Sequence, residues 1–331
     1  MSVREFRDEY FNALLNLIWR QWTRLGISGQ IASDDSPYVV DPEALLLFSS
    51  SFCRYDQRLY DLVIDWLRVN GAFINVQRLK SLSCKVSQKD AASLGFIVAT
   101  MSKLSSRKWK KLADDLLPVK RAEAVPMFIA PDQKPLDFCR QKDKIALQYG
   151  YLRMPYQPTN KVTVFPIGVS ASILLQMRGV FGLSARAETI LTLLNKDICK
   201  IQDVADISGF SWKSIQDTLM ELTAGGLVAT DAKTKRGRYY YLKSPDKIQH
   251  LFDVKHFFFP DWRRIFDSLG ALWQAVANPR LIDLSEKTFH SEMARVFEEE
   301  IGEKLLDAGI SELQFLNPEK VYSLPPLLEK L

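Results

Sequence analysis

Residues 185–243 contain three short runs of apolar residues at helical spacing, followed by two runs typical of strands. The helical runs, with apolar residues at steps of three and four, are 185–194, 201–207 and 212–223. Gly209 lies between the second and third runs, and Ser211 is a residue type that caps helix N-termini. The runs 227–230 and 238–242 enclose a charged turn. This pattern predicts three packed helices closed by a two-stranded hairpin.

The segment resembles the winged-helix DNA-binding domain of bacterial transcriptional regulators. The resemblance lies in residues 201–228, I-x-x-V-A-x-x-S-G-F-S-W-x-S-I-x-x-T-L-M-E-L-x-A-G-G-L-V, and in residues 233–242, K-T-K-R-G-R-Y-Y-Y-L. In such domains, L-x-x-x-G-L-V leads from the third helix into the hairpin, or wing. The resemblance covers about 18% of the chain. It implies double-stranded DNA as the partner and sequence-specific transcriptional regulation as the function.

A helix in the major groove reads base edges chiefly with exposed side chains near its N-terminal end. In the third helix these residues are Ser211, Trp212, Lys213, Ser214 and Gln216. The basic side chains of the hairpin that suit phosphate contact are Lys233, Lys235, Arg236 and Arg238. Residues 228–243 carry five basic side chains and one acidic side chain, a net charge of +4. We expect these nine residues to form the DNA-binding site.

A second interpretation of this segment stays open. Winged-helix folds also serve as protein-interaction modules, and the third helix carries the acids Asp217 and Glu221, which suit a polyanion poorly. The alternative function is a protein-interaction module such as an antitoxin-like partner-binding protein, with or without autoregulatory DNA binding. The layout of the whole chain loosely resembles that of antitoxins of abortive-infection systems.

Residues 1–120 have helical periodicity almost throughout. The separate runs are 3–26, 57–69, 76–82, 89–104 and 107–117. Asp41-Pro42-Glu43 is typical of a helix start, because Asp can cap free amides and Pro fits the first helical position. Short helices with tight turns predict a helical N-terminal domain, either an orthogonal bundle or a degenerate helix-turn-helix.

The segment 121–184 contains six prolines between residues 122 and 170, which predicts a connecting region with short extended pieces. Residues 246–331 return to helical patterns, including an aromatic-rich helix that ends near Val276. The apolar side of that helix suits packing within the chain or between two copies. The predicted fold class is mainly α, with a helical N-terminal domain, a winged-helix domain at 185–245 that includes a small two-stranded hairpin, and a helical C-terminal segment.

The net charge of +5 is unevenly distributed. Residues 281–331 carry 11 acidic and 5 basic side chains, a net of −6, which leaves +11 on the remainder. A basic body with an acidic tail suits a polyanion partner. Regulators of this type bind inverted repeats as dimers, so we expect a homodimer.

The most apolar stretch, 164–183, is interrupted by Pro166, Gln176 and Arg178, so we expect no membrane span. The charged start lacks the apolar stretch of a secretory signal, and the expected location is the cytoplasm.

The sequence lacks the motifs of common enzymes and metal sites. None of the three histidines lies in an H-E-x-x-H pattern, and G-x-S-x-G and G-x-x-x-x-G-K are absent. The four cysteines, Cys53, Cys84, Cys139 and Cys199, have no paired spacing, which indicates reduced thiols. We therefore expect no enzymatic activity, no catalytic residues, no cofactor and no bound metal.

Overall fold

The computed structural model describes residues 2–29, 36–87, 90–105, 107–118, 123–136, 139–231, 238–254, 256–282 and 286–331. Most of these residues lie in α-helices, and the strands form two small two-stranded sheets. The predicted mainly α class with a small hairpin is confirmed. None of the helices in these ranges combines the length and the apolar character that crossing a membrane requires.

The first part of the chain is a set of helices that begin at capping side chains. Their bounds are α1 Val3–Arg24, α2 Pro42–Phe52, α3 Gln57–Asn70, α4 Val76–Ser83, α5 Ala91–Leu104 and α6 Lys110–Asp115. The caps of α1 to α5, which accept hydrogen bonds from first-turn amides, are Ser2, Asp41, Asp56, Asn75 and Asp90. Each cap satisfies an amide that has no partner inside its helix. The local sequence therefore fixes where these helices start.

Between residues 123 and 184 the chain is largely irregular. Its regular elements are β1 Val125–Pro126, α7 Lys144–Gln148, β2 Tyr151–Leu152 and α8 Ile173–Phe181, with β1 and β2 paired in parallel. Single bridges join extended pieces across the molecule, from Ile27 to Val162 and from Tyr38 to Phe258. The first of these bridges ties the connecting region to the residues that follow α1, and the second joins the N-terminal part of the chain to the residues before α13.

The second half of the chain follows the predicted order of three helices and a hairpin. The bounds are α9 Ala185–Asn195, α10 Ile201–Ser208, α11 Trp212–Ala224, β3 Val228–Asp231, β4 Tyr239–Leu242 and α12 Pro245–His250. The helices after them are α13 Trp262–Val276, α14 Pro279–Ile282, α15 Glu286–Val296, α16 Gly302–Leu306, α17 Ser311–Gln314 and α18 Leu324–Leu328. A π-helical turn, Phe297–Ile301, joins α15 to α16.

Two hydrophobic cores organise these elements. The larger core surrounds α1 and takes residues from both ends of the sequence, so that α13 and α18 pack on α1. Within it, the hydroxyl of Tyr10 donates a 2.9 Å hydrogen bond to the carbonyl of Leu269. The smaller core lies among α8 to α12 and includes Val39 from the N-terminal region. The apolar side of α13 is thus buried within the chain.

A buried cluster of five charged side chains, the ionic cluster, joins the two cores. Its members, all 3% or less exposed at their side chains, are Asp41, Glu43, Arg78, Arg178 and Glu188. Arg78 of α4 donates to Asp41, the cap of α2, and to Glu43 in its first turn, at 2.5–2.7 Å. Arg178 of α8 bridges Glu43 at 2.7 Å and Glu188 of α9 at 2.5 Å. Paired charges thereby hold together four helices, α2, α4, α8 and α9.

Candidate nucleic-acid interface

Helices α9, α10 and α11 pack on one another and leave one side of α11 exposed. Val204 and Ala205 of α10 are buried, as are Ile215 and Leu219 of α11. Met220 lies on the outer side of α11 and is 59% exposed, and Trp212, at the first position of the helix, is 47% exposed. An apolar stripe toward the core and an accessible outer side are what a groove-binding helix requires.

The turn between α10 and α11 is covered by α4. Gly209 ends α10 in the left-handed conformation, with φ of +76°. Arg78 Nε donates to the carbonyl of Ser208 at 2.6 Å, and Ser81 Oγ donates to that of Gly209 at 3.0 Å. A Cβ at position 209 would lie 2.5 Å from Cδ2 of Leu82, so glycine is needed for space as well as for backbone geometry. The helix pair is consequently fixed against the N-terminal helices.

The N-terminal end of α11 is capped as predicted. Ser211 accepts a 3.2 Å hydrogen bond from the backbone amide of Ser214, and the two hydroxyls lie 2.9 Å apart. Because these hydroxyls bond each other, their remaining capacity for a base or phosphate is reduced. Trp212, the first residue of the helix, projects its ring into solvent beside this cap.

The charged residues of α11 are largely paired with each other. Lys213 Nζ lies 2.8 Å from a carboxylate oxygen of Asp217 and 3.4 Å from Oε1 of the half-buried Gln216. Glu221 pairs with Arg186 of α9 at 2.7 Å. The helix itself carries one base and two acids. The helix therefore offers an aromatic ring, a thioether and an amide, and its own net charge is −1.

The hairpin consists of two strands and one additional backbone bridge. β3 and β4 pair antiparallel, with Val228 opposite Leu242. Cys199, in the link between α9 and α10, forms an additional bridge to Tyr240 through two backbone hydrogen bonds of 2.8 and 3.0 Å. The link therefore anchors the hairpin to the start of α10. Its apolar Ile198 and Cys199 were the sequence signal for this bridge, which the periodicity of the helices concealed.

Of the four hairpin residues predicted to contact DNA, one lies within the described residues. Arg238 is exposed at the start of the returning strand. Lys233, Lys235 and Arg236 lie outside the described residues. Residues 196–243 contain eight basic and six acidic side chains, and three of the basic ones are at positions 233–236. The excess positive charge of this region belongs to the hairpin and not to α11.

Within the described ranges, no three His, Cys, Asp or Glu side chains are grouped so as to hold a metal ion. Comparisons with protein-family models, with curated proteins and with solved structures found no match to this chain. A functional assignment therefore depends on its own residues and geometry.

Proposed function

We propose that this protein is a sequence-specific DNA-binding transcriptional regulator with a winged-helix domain at residues 185–245, acting as a homodimer. The observation that carries the proposal is the exposed N-terminal half of α11, which rests on α9 and α10 and is followed by a hairpin with a basic tip. In this mechanism α11 enters the major groove, and the hairpin residues hold the phosphate backbone.

The basic side chains lie mainly in the hairpin and not in α11, so these two elements have different roles in the proposed mechanism. Because Lys213 is paired with Asp217, α11 contributes little Coulombic attraction to DNA. Gln216 and Trp212 are then the residues of α11 that contact base edges and sugars, and they supply specificity. Lys233, Lys235, Arg236 and Arg238 supply most of the salt-dependent affinity.

The test is fluorescence-anisotropy binding to a labelled fragment from upstream of the gene, with unlabelled non-specific DNA as competitor. Five phosphate contacts give a salt slope of about −4.5, so the affinity falls by roughly two to three decades over a fourfold rise in salt. The triple variant K235A/R236A/R238A loses most of this affinity and has a shallower slope. The control variant K103A/K110A/K111A removes the same charge from exposed positions on α5 and α6 and keeps wild-type binding.

Competitor-resistant binding that depends on the hairpin residues supports the proposal. If both triple variants weaken binding equally, the effect is one of net charge, and the assignment of the hairpin fails. If the wild-type protein shows no preference for the fragment over competitor, the proposal of a sequence-specific regulator is refuted.

One observation favours a second candidate function, the binding of a protein partner. Trp212 and Met220 expose large apolar surface on a helix whose three charged side chains are all in ion pairs, and exposed aromatic residues anchor protein interfaces. An antitoxin-like protein would use this side of α11 for a partner encoded nearby. Co-expression with each neighbouring gene product, followed by size-exclusion chromatography of wild type and W212A, distinguishes the two functions. A complex that W212A abolishes supports partner binding, whereas DNA binding alone does not produce one.

A further inference from the structure

A cleft with aromatic walls lies on the side of the molecule formed by α2, α13 and the turn at residues 129–133. Its volume of about 610 Å³ is within the range of small-molecule sites, roughly 300–1,000 Å³. Phe52, Tyr55 and Trp273 line it, and their rings contact one another with centroids 5.3–5.8 Å apart. These rigid walls belong to the larger core, so the cleft is formed before any ligand arrives.

Arg54 presents unused hydrogen-bond donors at this cleft. Its Nε donates to the carbonyl of Met127 at 2.8 Å, and its Nη1 donates to Asp90 at 3.0 Å. One face of the guanidinium lies over the ring of Tyr151, 4.8 Å from the centroid. Nη2 has no partner among the described residues and is not sealed from solvent. The guanidinium is therefore held in one orientation with two N–H groups available.

Tyr55 supplies a second unused donor next to Arg54. Its hydroxyl oxygen accepts from Gln133 Nε2 at 2.7 Å and from the indole N–H of Trp273 at 3.1 Å. Both partners are donors, so the hydroxyl hydrogen has no acceptor among the described residues. Gln133 adopts a positive φ of 68°, a conformation that costs a non-glycine residue free energy and is enriched at binding sites.

The charge of the cleft selects against an anion. The positive charge of Arg54 is already matched by Asp90, which also accepts a 2.5 Å hydrogen bond from Tyr151. A ligand carboxylate bonded to Nη2 would approach the carboxylate of Asp90, and like charges repel. A carbonyl oxygen gains the same hydrogen bonds without that repulsion.

We propose that this cleft binds a small planar aromatic molecule through a neutral oxygen. Arg54 and Tyr55 donate to the oxygen, and Phe52 and Trp273 contact the ring. None of the residues that line the cleft lies within segment 185–245, and the existence of the site does not depend on DNA binding.

The test uses three probes of similar size in isothermal titration calorimetry and ligand-observed NMR. 1-Naphthamide is planar with a neutral oxygen, 1-naphthoate is its charged counterpart, and decahydronaphthalene-1-carboxamide lacks the aromatic ring. We expect one site for 1-naphthamide, with a Kd on the order of 1 mM or tighter. The other two probes bind at least about fivefold more weakly.

Y55F removes the hydroxyl, which is the donor to the ligand and also the acceptor for Gln133 and Trp273, and weakens binding of 1-naphthamide by roughly 3–10-fold or more. R54K keeps the charge, loses Nη2 and weakens binding by at least about tenfold. The control Y241F makes the same change at an exposed tyrosine of β4 and leaves the Kd unaltered. If R54K does not fold, Y55F with its control decides alone.

Three results overturn the proposal. One is no saturable binding of 1-naphthamide up to its solubility limit. Another is a Kd that Y55F leaves at the wild-type value. The third is tighter binding of 1-naphthoate than of 1-naphthamide, which would show that the Arg54 charge is available and that the ligand class is wrong.

Discussion

Replacement of Arg178 by methionine is the sharpest test of how the two cores are joined. In the ionic cluster Arg178 makes five hydrogen bonds, to Glu43, Glu188 and the carbonyl of Phe73, at 2.5–3.0 Å. Methionine fills much of the same volume but makes none of them. Glu43 keeps Arg78 as a partner, whereas the Glu188 carboxylate keeps none.

The expected cost follows from the charges. The cluster contains two arginines and three acids, a net charge of −1, and R178M changes it to −2 in a site closed to water. Removing one partner of a buried pair costs about 3–5 kcal/mol in the free energy of unfolding. The double variant R178M/E188M restores a net charge of −1 and removes the orphaned acid. We therefore expect the double variant to be more stable than R178M alone.

The assay is urea denaturation followed by far-UV circular dichroism, together with thermal unfolding. For a chain of 331 residues, about 3–5 kcal/mol corresponds to a decrease in Tm of roughly 4–7 °C. R295M is the control, because Arg295 is exposed and pairs with Glu292 and Glu299 on the surface. Its Tm should equal that of the wild type, since surface pairs contribute little.

Two results would refute this reasoning. If R178M unfolds at the wild-type urea concentration, the buried charges do not join the cores. If R178M/E188M is as unstable as the summed effects of R178M and E188M, the cost comes from lost packing and not from an unpaired acid.

Two further predictions concern Gly209 and acid stability. G209A destabilises the protein by about 1–3 kcal/mol more than G226A, because both glycines have a positive φ near 77° but only an alanine at 209 meets Leu82. Equal urea midpoints for the two variants would show that Leu82 of α4 moves aside for the alanine at position 209 without a loss of stability. Burial favours a raised pKa at Asp41, but the charge and hydrogen bonds of Arg78 hold that pKa below its ordinary value. The resulting stability is present above about pH 4 and is lost as the pH falls through the folded-state pKa. D41N should flatten this decline in urea midpoints measured from pH 5 to pH 2.

Local signals in the sequence account for much of the fold. The predicted helix starts at Pro42 and Trp212 coincide with α2 and α11, because Asp41 and Ser211 cap them through contacts three residues away. The hairpin was predictable for the same reason, since alternation and turn residues act over a few positions. The DNA contacts proposed on α11 and the hairpin stay predictions.

Long-range pairings were beyond local pattern analysis. In the sequence Arg178 is a charge that interrupts an apolar stretch, yet its side chain is fully buried because Glu43, 135 positions away, neutralises it. The aromatic cleft was equally hidden, since Arg54, Gln133 and Trp273 meet only through tertiary packing. Periodicity reports which side of a helix is apolar but not which helix covers it.

The sharing of one core by both ends of the sequence has a consequence for biosynthesis. Phe6 and Tyr10 of α1 pack against Trp273, Phe289 and Tyr322, which are made more than 250 residues later. At about 5–20 residues per second, α1 leaves the ribosome roughly 10–50 s before these partners exist. For that interval an aromatic stripe is open to water and to other nascent chains. We expect the growing polypeptide to be held by chaperones until α13 and the helices after it are translated.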